Sequence, residues 1–297
     1  MSRRYGVMLL ALAAIWGASF MFIKIAVRTI DPATLVLWRT GLGALGLLPV
    51  APFVVGGRAL LGQLRQYAGP LALLGLVNAV IPFWLLNWSE TRIDSGLAAI
   101  LQASSPLFAA LLALRFSHAD RVTGGRLVGV LVGFVGVALL VGAQRQGNVV
   151  AELAVLLTAL CYAIGALYGG RRVRHLPPMT VALGSLLAAT VLSAPVGIAH
   201  SPGSFPEWEA VVSVAVLGFL GLSVAYVLYF AIIGGAGASR ALLVTYLVPA
   251  LALIYGVVFL NESLTVSAVV GLALILAGVA LGSGALRARR ARVASAA

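Results

Sequence analysis

The sequence has few charged residues for its length. Only 9% of its 297 residues are Asp, Glu, Lys or Arg, while 62% are hydrophobic, and the mean hydropathy is +1.09. A soluble protein carries about 25% charged residues. So small a charged fraction does not cover a water-exposed surface, and most of the surface is therefore expected to face lipid.

Several residue types are too rare for particular functions. The single cysteine, Cys161, excludes an intrachain disulfide and a cysteine-based metal cage. The single lysine, Lys24, follows an isoleucine, whereas a P-loop lysine follows a glycine, so ATP-driven pumping is excluded. The three histidines lie far apart, and we expect no metal or other cofactor. No Asp or Glu falls in the middle of an apolar run, so the buried carboxylate of many proton-coupled drug pumps has no visible counterpart.

Ten apolar runs are long enough to cross a bilayer, which takes about 20 residues in a helix. Helices satisfy their own backbone groups in lipid. The first run carries Lys24 and lacks a convincing cleavage site, so it is a span and not a signal peptide. We predict an all-α integral membrane protein with ten transmembrane helices: 6–27, 33–55, 67–89, 95–116, 122–142, 149–171, 179–199, 209–233, 238–260 and 265–286.

The basic residues predict the orientation. With the N-terminus inside, 15 of the 20 Lys and Arg fall on the cytoplasmic side, and seven of the eight Asp and Glu fall outside. Basic loops stay in the cytoplasm, so both termini are predicted to be cytoplasmic. The net charge of +12 does not indicate nucleic-acid binding, because the arginines form short clusters between apolar runs.

The two halves of the chain resemble each other. A shift of 146 residues aligns Trp16 with Tyr162, and a shift of 143 aligns Pro106 with Pro249. Each half has five spans, an odd number, so two copies would lie in opposite orientations. We predict two inverted five-helix repeats, 1–147 and 148–297. In many secondary transporters with this architecture the substrate site lies near the bilayer midplane.

Short motifs recur in the same order in both halves. They are "WGASFMFIK", "WRTGLGALGLLP" and "GRLVGVLVGFVGVALL" in the first half, and "NES" and "GLALILAGVAL" in the second. On these motifs the chain resembles the EamA family of the drug/metabolite transporter superfamily over nearly its whole length. The first half departs from the family pattern in reading "SHADR", with Asp120, where a glycine and a glutamate are usual. The resemblance implies export of amino acids, other small metabolites or drugs across a bacterial inner membrane.

Three prolines predict a polar site at the centre of the bundle. A proline inside a helix removes the hydrogen bond to the carbonyl four residues earlier. Irregular backbone at this depth is tolerated only where it is buried in protein or lines an aqueous cavity. We predict a substrate site here, the alternative being kinked helices whose amides bond to their neighbours. The carbonyls concerned belong to polar residues: Asn78 before Pro82, Gln102 before Pro106, and Thr245 before Pro249.

Aromatic residues lie deep in the spans. Trp16 is near the middle of the first span, and Tyr162 is equally deep in the sixth. Their rings offer a flat apolar wall with a polar edge, which suits a substrate with an apolar side chain, although plain helix packing is the alternative. Ser19, one turn after Trp16, is expected to face the same way. Trp84 and Tyr226 are further candidates for substrate binding.

Two basic residues lie in the outer halves of their spans. Lys24 is about 10 Å from the midplane at 1.5 Å per residue, and Arg39 lies in the same half of the second span. Their long stems predict snorkelling to the outer interface, or a structural pair with Asp31. The alternative is an electrostatic role, in which they hold a substrate carboxylate or close an outer gate.

Spans five and ten carry glycines at every fourth position. Small residues at this spacing let helices approach closely. We expect them to join the two halves or, in a possible homodimer, two protomers. The glycines are Gly125, Gly129, Gly133, Gly278 and Gly282.

Export of an amino acid or a similar zwitterion is the preferred function. Freed carbonyls and amides can bind an ammonium and a carboxylate, and aromatic rings accept an apolar group. Movement down the substrate's own gradient, or exchange, would follow from rocking one inverted repeat against the other. Organic-cation efflux is an alternative, disfavoured by the lack of a central carboxylate. A membrane enzyme or assembly factor would need a clustered catalytic set, which the sequence does not contain.

Overall fold

The computed structural model describes residues 3–116, 125–143 and 148–282. Asp120 and the basic C-terminal tail lie outside these residues. Within them, every regular element is helical, which confirms an all-helical membrane protein; the count of ten spans and the orientation of the termini stay predictions. Six helical stretches are long and apolar enough to cross a bilayer: Arg3–Ala26, Ala68–Glu90, Ser95–Leu112, Val149–Arg172, Pro178–Ala199 and Trp208–Ala236. Shorter apolar helices are Leu127–Val141, Val244–Leu260 and Val266–Leu281.

Several predicted spans are divided into shorter helices by turns or by π-helical segments. The π-helical segments are Leu76–Val80, which joins α5 to α6, and Val216–Val224, which joins α12 to α13. The helices, in chain order, are α1 Arg3–Ala26, α2 Pro32–Leu47, α3 Ala51–Val55, α4 Gly57–Gln66, α5 Ala68–Gly75, α6 Ile81–Glu90, α7 Ser95–Gln102, α8 Ser105–Phe116, α9 Gly125–Ala143, α10 Val149–Arg172, α11 Pro178–Ala199, α12 Trp208–Ala215, α13 Ala225–Ala236, α14 Ala238–Ala241, α15 Val244–Leu260 and α16 Val266–Gly282.

Local chemistry explains where two of the long helices begin. The Asp31 carboxylate accepts a hydrogen bond from the amide of Ala33 at 2.8 Å, and a proline opens α2. The Asn148 side chain accepts one from the amide of Ala151 at 3.1 Å and caps α10. Side-chain oxygens at these positions satisfy backbone donors that lack partners within the helix. Asp31 is therefore used as a helix cap, and the predicted pair with Lys24 is not formed.

The three prolines affect their helices differently. Before Pro82, the π-helical segment widens the helix, and the amide of Ile81 bonds to the carbonyl of Leu76 five residues earlier. Before Pro106 the helix is interrupted between α7 and α8. Pro249 lies inside an uninterrupted α15. Two of the three prolines that the sequence singled out therefore accompany an interruption of the regular α-helix, and Pro249 does not.

The stretch between the second and third predicted spans, where no helix was predicted, contains one. Residues 57–66 form α4, in which Leu60 is buried and most other side chains are exposed. The side chain of Gln63 accepts a hydrogen bond from the hydroxyl of Thr180 at 2.7 Å. A ten-residue amphipathic helix is too short to register as a membrane span, which is why a scan for apolar runs misses it.

Glycines of α9 and α16 face each other within the chain. A Cβ atom placed on Gly278 would lie 2.5 Å from the Cα of Gly133, and one placed on Gly136 would lie 2.8 Å from the Cβ of Leu274. The two helices therefore touch through their backbones, as the glycine spacing predicts. A homodimer stays a prediction, and it would have to use other faces of α9 and α16.

Two further glycines make matching contacts in the two halves. A Cβ on Gly75 would lie 2.5 Å from the carbonyl oxygen of Ser185, and one on Gly218 would lie 3.2 Å from that of Arg39. Gly75 and Gly218 are related by the shift of 143 residues, and Arg39 and Ser185 by the shift of 146. Each half thus presents the same helix face to the other half.

Candidate functional site

A cavity of about 460 Å³ lies among α1, α2, α6, α7, α8, α10, α13 and α15. This volume is in the range of small-molecule sites, about 300–1,000 Å³. Most of the wall is apolar or aromatic, with a few polar groups between. The lining residues are Trp16, Ser19, Phe20, Ile23, Arg39, Asn78, Phe83, Leu86, Ala99, Gln102, Ala103, Ser105, Pro106, Tyr162, Ala166, Gly221, Leu222, Tyr226, Tyr229, Thr245, Val248 and Pro249.

The cavity brings together seven of the eight residues considered as substrate ligands from the sequence. Trp84 is the exception, because its side chain is 43% exposed on the surface of α6 and does not line the cavity. Pro82 is buried nearby without lining it, whereas Pro106 and Pro249 do. The seven residues are Trp16, Ser19, Asn78, Gln102, Tyr162, Tyr226 and Thr245.

The indole nitrogen of Trp16 already has a hydrogen-bond partner within the protein. Its indole nitrogen donates a hydrogen bond to the carbonyl oxygen of Gly221 at 3.1 Å, and its ring lies 5.5 Å from that of Tyr229. Gly221 belongs to the π-helical segment between α12 and α13, where the backbone departs from regular α-helix. The Trp16 ring can therefore offer the cavity its apolar surface, while its nitrogen fixes α1 to this segment.

A related contact occurs on the opposite wall. A Cβ on Gly165 would lie 2.5 Å from the Oδ1 atom of Asn78, so the amide of Asn78 packs directly on α10. Asn78 is the repeat equivalent of Gly221, and Gly165 is that of Ser19. A Cβ on Gly221 would correspondingly lie 3.4 Å from the Ser19 hydroxyl oxygen. At both places a polar side chain of the first half thus fills the space that a glycine of the second half leaves.

Most of the cavity wall is built from residues that the internal repeat makes equivalent. Arg39 is one of six lining residues whose equivalent is outside the lining; its own equivalent is Ser185. The two sides of the wall are therefore largely equivalent in position, but the charge of Arg39 is present on one side. Eight equivalent pairs line the cavity: Trp16 and Tyr162, Phe20 and Ala166, Asn78 and Gly221, Phe83 and Tyr226, Leu86 and Tyr229, Gln102 and Thr245, Ser105 and Val248, and Pro106 and Pro249.

The backbone carbonyl of Gln102, which Pro106 was expected to leave without a hydrogen-bond partner, has one. The carbonyl oxygen of Gln102 accepts a hydrogen bond from the hydroxyl of Ser105 at 2.8 Å, because the turn between α7 and α8 brings them together. The side-chain oxygen of Gln102 is buried and has no hydrogen-bond partner in the described part of the chain. The Thr245 hydroxyl donates to the carbonyl of Leu242 at 2.7 Å. The side-chain oxygen of Gln102 is therefore free to bind a ligand, whereas the backbone carbonyl of Gln102 is already bonded.

Arg39 is buried in the cavity wall, and the expectation that it snorkels to the outer interface is wrong. Its side chain is 5% exposed, and the guanidinium carbon lies 3.9 Å from the centre of the Phe83 ring. Its Nε and Nη1 atoms are buried and have no hydrogen-bond partner among the described residues. Stacking on an aromatic ring suits a planar guanidinium. Of the residues that line the cavity, only Arg39 is charged.

Lys24 fixes the connection between α6 and α7. Its ammonium donates hydrogen bonds to the carbonyl oxygens of Glu90 and Ile93, each at 2.7 Å. A cation here satisfies carbonyls at a helix C-terminus and interacts favourably with the helix dipole. The Lys24 ammonium is therefore held by the protein and does not snorkel freely. Glu90, whose carbonyl it binds, lies one helical turn beyond the cavity residue Leu86.

Glu262, in the second half of the chain, bonds to the start of α7, next to the connection that Lys24 holds. Its carboxylate accepts hydrogen bonds from the amides of Ser95 at 2.7 Å and Gly96 at 3.0 Å, at the start of α7. Asp94 holds the usual capping position but makes no side-chain cap. Burial raises the pKa of Asp94, and the nearby charge of Glu262 raises it further. We call Lys24, Glu90 and Glu262 the charged cluster.

Glu90 of this cluster was not recognised from the sequence. It closes α6, where a carboxylate is expected to reach water, but its side chain is completely buried. Neither carboxylate oxygen has a hydrogen-bond partner within the described residues. Its carboxyl lies near Lys24, Glu262 and Arg39. Burial at a helix end depends on neighbouring elements, so a scan of single spans gives no signal for it.

Comparison with known proteins identifies the family. The EamA-like transporter family matches residues 4–142 and again residues 149–284. The chain belongs to this family. The assignment to the EamA family made from the motifs is therefore confirmed. This family indicates a membrane transporter rather than an enzyme.

Relatives of this EamA-like protein are distant but cover nearly its whole length. A probable amino-acid metabolite efflux pump of Escherichia coli K12 is 25% identical, over 98% of each chain. One from Salmonella typhimurium is 27% identical, also over 98% of each. An uncharacterized inner membrane transporter of Escherichia coli K12, YedA, is 28% identical over 86% of this chain and 83% of its own.

A solved crystal structure shares the fold of the EamA-like chain. It superposes with a TM-score of 0.68 at 20% identity, covering 95% of this chain and 98% of that one. At this identity the likeness shows the fold alone. The predicted localisation, a multi-pass protein of the inner membrane, is confirmed by the family, by the apolar helices and by the relative named an inner membrane transporter.

Proposed function

We propose that this EamA-like protein exports amino acids, aromatic or otherwise neutral, or closely related zwitterionic metabolites, without ATP. The observation that carries the proposal is the cavity, in which seven candidate residues chosen from the sequence converge. It combines apolar and aromatic walls with amide groups and one guanidinium. That set matches the three parts of an amino acid: an apolar side chain, an ammonium and a carboxylate.

Each part of such a substrate has a suitable group in the cavity. The rings of Trp16, Phe83 and Tyr229 can accept an apolar side chain by stacking and burial. The unpartnered side-chain oxygen of Gln102 can accept hydrogen bonds from an ammonium. The Arg39 guanidinium can pair with a carboxylate, a combination that forms strong charge-assisted bonds.

The relatives support this substrate class. Two of them, from Escherichia coli and Salmonella typhimurium, are named probable amino-acid metabolite efflux pumps and cover 98% of each chain. Organic-cation efflux, the alternative kept from the sequence, is disfavoured further, because the cavity carries a buried cation instead of a carboxylate.

We infer alternating access between two inverted repeats as the mechanism. Matching contacts of Gly75 and Gly218, together with the eight equivalent pairs of lining residues, support two copies of one unit. Glu262 of the second half holds the start of α7 in the first half, which would close the bundle at this end. If the N-terminus is cytoplasmic, this end faces outward, and rocking the repeats apart would break these two bonds.

Flux measurements on the purified full chain in liposomes test the function. We expect efflux of labelled L-leucine or L-phenylalanine down its gradient, with no requirement for ATP. Asn78→Ala and Gln102→Ala should reduce this flux at least tenfold, because each removes a polar group from the cavity wall. Trp84→Ala, on the protein surface, serves as the matched control and should retain flux.

Two results would contradict the proposal. One is the absence of flux for every neutral amino acid from protein that elutes as a single folded species. The other is unchanged flux in the Asn78 and Gln102 variants at equal reconstitution, which would place substrate elsewhere. Efflux of quaternary ammonium compounds instead of amino acids would favour the organic-cation alternative.

A further inference from the structure

We propose that α4, together with the end of α10 and the turn that follows it, forms a docking surface for anionic phospholipid headgroups. The inference goes beyond the proposed function, because none of the residues concerned lines the cavity. It gives a role to α4, a helix that does not cross the bilayer. The surface, called here the basic surface, carries five arginines: Arg58, Arg65, Arg171, Arg172 and Arg174.

The α4 helix has one face on the protein and another turned away from it. Leu60 and Leu64 pack against hydrophobic clusters of the bundle. Arg58, Leu61 and Arg65 are exposed, and their spacing of three and four residues places them on one face of the helix. That face combines positive charge with an apolar side chain, which is the pattern of helices that lie in the interface of a bilayer.

The segment before α4 adds apolar surface beside these arginines. Phe53 is 91% exposed, more than any other large hydrophobic side chain in the described ranges, and Val54 next to it is 62% exposed. Gly56, with a φ of +91°, then turns the chain from α3 into α4, in a conformation that residues with a side chain rarely adopt. Acyl chains and headgroups would therefore meet adjacent parts of one short segment.

The second half of the chain supplies the other three arginines. The hydroxyl of Thr180 donates a hydrogen bond to the side-chain oxygen of Gln63 at 2.7 Å, and the ring of His175 lies 4.9 Å from that of Tyr67. These contacts join α4 to the turn between α10 and α11. The arginines of residues 171–174 are exposed at this turn. A lipid that is held from both sides would bridge the two halves.

The basic surface carries charge of one sign. Residues 51–77 and 166–182, which build it, contain no Asp or Glu. A cluster of four to eight basic residues beside a membrane helix attracts anionic lipid, and each residue raises the affinity by about fivefold. The exposed Phe53 and Val54 favour lipid over a soluble anion, because only lipid would also cover these apolar side chains.

Thermal unfolding of the purified full chain in an uncharged detergent tests the surface. A ligand of the folded state raises the unfolding temperature, and the lipid concentration that gives half of the rise measures its apparent affinity. The probes are palmitoyl-oleoyl phosphatidylglycerol, the zwitterionic phosphatidylcholine with the same chains, and glycerol phosphate without chains. Phosphatidylglycerol should act at a concentration about 30-fold or more below that of phosphatidylcholine, and high salt should reduce this advantage. Glycerol phosphate should have no effect.

Paired substitutions assign the effect to α4. Arg58→Gln with Arg65→Gln should raise the phosphatidylglycerol concentration needed by about 25-fold. Arg28→Gln with Arg92→Gln is the matched control, because it removes the same charge from exposed positions at the opposite end of the bundle, and it should change that concentration by less than about twofold. Replacing Arg58 and Arg65 by lysine should keep the preference for phosphatidylglycerol, an outcome that a merely damaged helix would not give.

Several results would overturn the inference. They are equal action of phosphatidylcholine and phosphatidylglycerol, an equal loss in the two glutamine pairs, and a lysine pair that behaves as the glutamine pair does. Stabilisation by glycerol phosphate at the lipid concentration would identify a soluble phosphate as the ligand and would also overturn it. None of these measurements involves amino-acid flux, so each leaves the proposed function intact.

Discussion

Trp16 donates its indole hydrogen to the carbonyl oxygen of Gly221, 205 residues further along the chain, at 3.1 Å. The bond joins the first helix to a π-helical segment of the other half, in the wall of the cavity. The bond gives a half-buried tryptophan a partner for its only polar side-chain atom, and it gives the Gly221 carbonyl in the π-helical segment a donor.

Replacing Trp16 by phenylalanine should remove this bond and keep an aromatic ring. We expect the free energy of unfolding in detergent to fall by about 0.5 to 1.5 kcal/mol, the range for hydrogen bonds between membrane helices. Denaturant titration followed by circular dichroism measures it. Trp84→Phe, at an exposed ring outside the cavity, should leave stability unchanged; an equal loss in both variants would contradict the assigned role of the bond.

Gly165→Ala should disturb the Asn78 side chain. The added Cβ would lie 2.5 Å from the Oδ1 atom of Asn78, and overpacking of this kind costs about 1 to 3 kcal/mol. Thermal unfolding should show the loss, and adding Asn78→Ala should recover most of it, since the closest contacts are with the end of that side chain. Gly170→Ala in the same helix meets no atom within 4 Å and should not destabilise the protein.

Two glycine substitutions should differ in whether they can be rescued. At Gly271 an added Cβ meets the side chain of Leu140, so Gly271→Ala should be destabilising alone and should recover stability when Leu140→Ala is added. At Gly278 it meets the Gly133 backbone at 2.5 Å, and truncating a neighbouring side chain cannot relieve that contact. Unfolding in detergent should show a loss of about 1 to 3 kcal/mol for Gly278→Ala. A smaller loss there than at Gly271 would be inconsistent with backbone contact.

Glu262→Gln should loosen the start of α7. The carboxylate accepts two backbone hydrogen bonds at a helix N-terminus, where a negative charge is favourable, and removing the charge should cost about 1 kcal/mol. Hydrogen exchange at the amides of Ser95 and Gly96 should then quicken by several fold. Asp94→Asn is the control, since Asp94 makes no cap and its ionised form is disfavoured by burial; exchange there should not quicken.

The helices themselves were predictable because hydropathy dominates in this chain. The long apolar runs beginning near residues 149 and 179 correspond to α10 and α11 within one or two residues. In contrast, α4 escaped notice because its ten residues make an amphipathic pattern that a search for spans does not detect. The π-helical segment Leu76–Val80 was missed because Pro82 locates an irregularity without fixing the hydrogen bonds that replace the lost one. The segment Val216–Val224 contains no proline and is followed by none until Pro249, so the sequence contained no signal for it.

Site residues were predictable where depth in a span was enough to place them. Trp16 and Gln102 lie far from either membrane surface by residue counting alone, and both line the cavity. The depth of Arg39 in its span was compatible with a side chain that snorkels to the interface or with one that is buried. Contact with Phe83 from another span favours burial, and a single span does not show that contact. Trp84 and Glu90 show the same limitation, because which face of α6 is covered is decided by its neighbours.

The contact between Gly133 and Gly278 has a consequence for movement. With no side chain between the two backbones, sliding α9 along α16 would bring larger side chains of the same helix faces, such as Leu140 and Leu274, toward a gap too narrow for one carbon atom. If the two repeats rock against each other as we propose, we expect them to tilt about this line of contact and not to shear along it. The fixed axis of that movement would then lie along α9 and α16, away from the cavity.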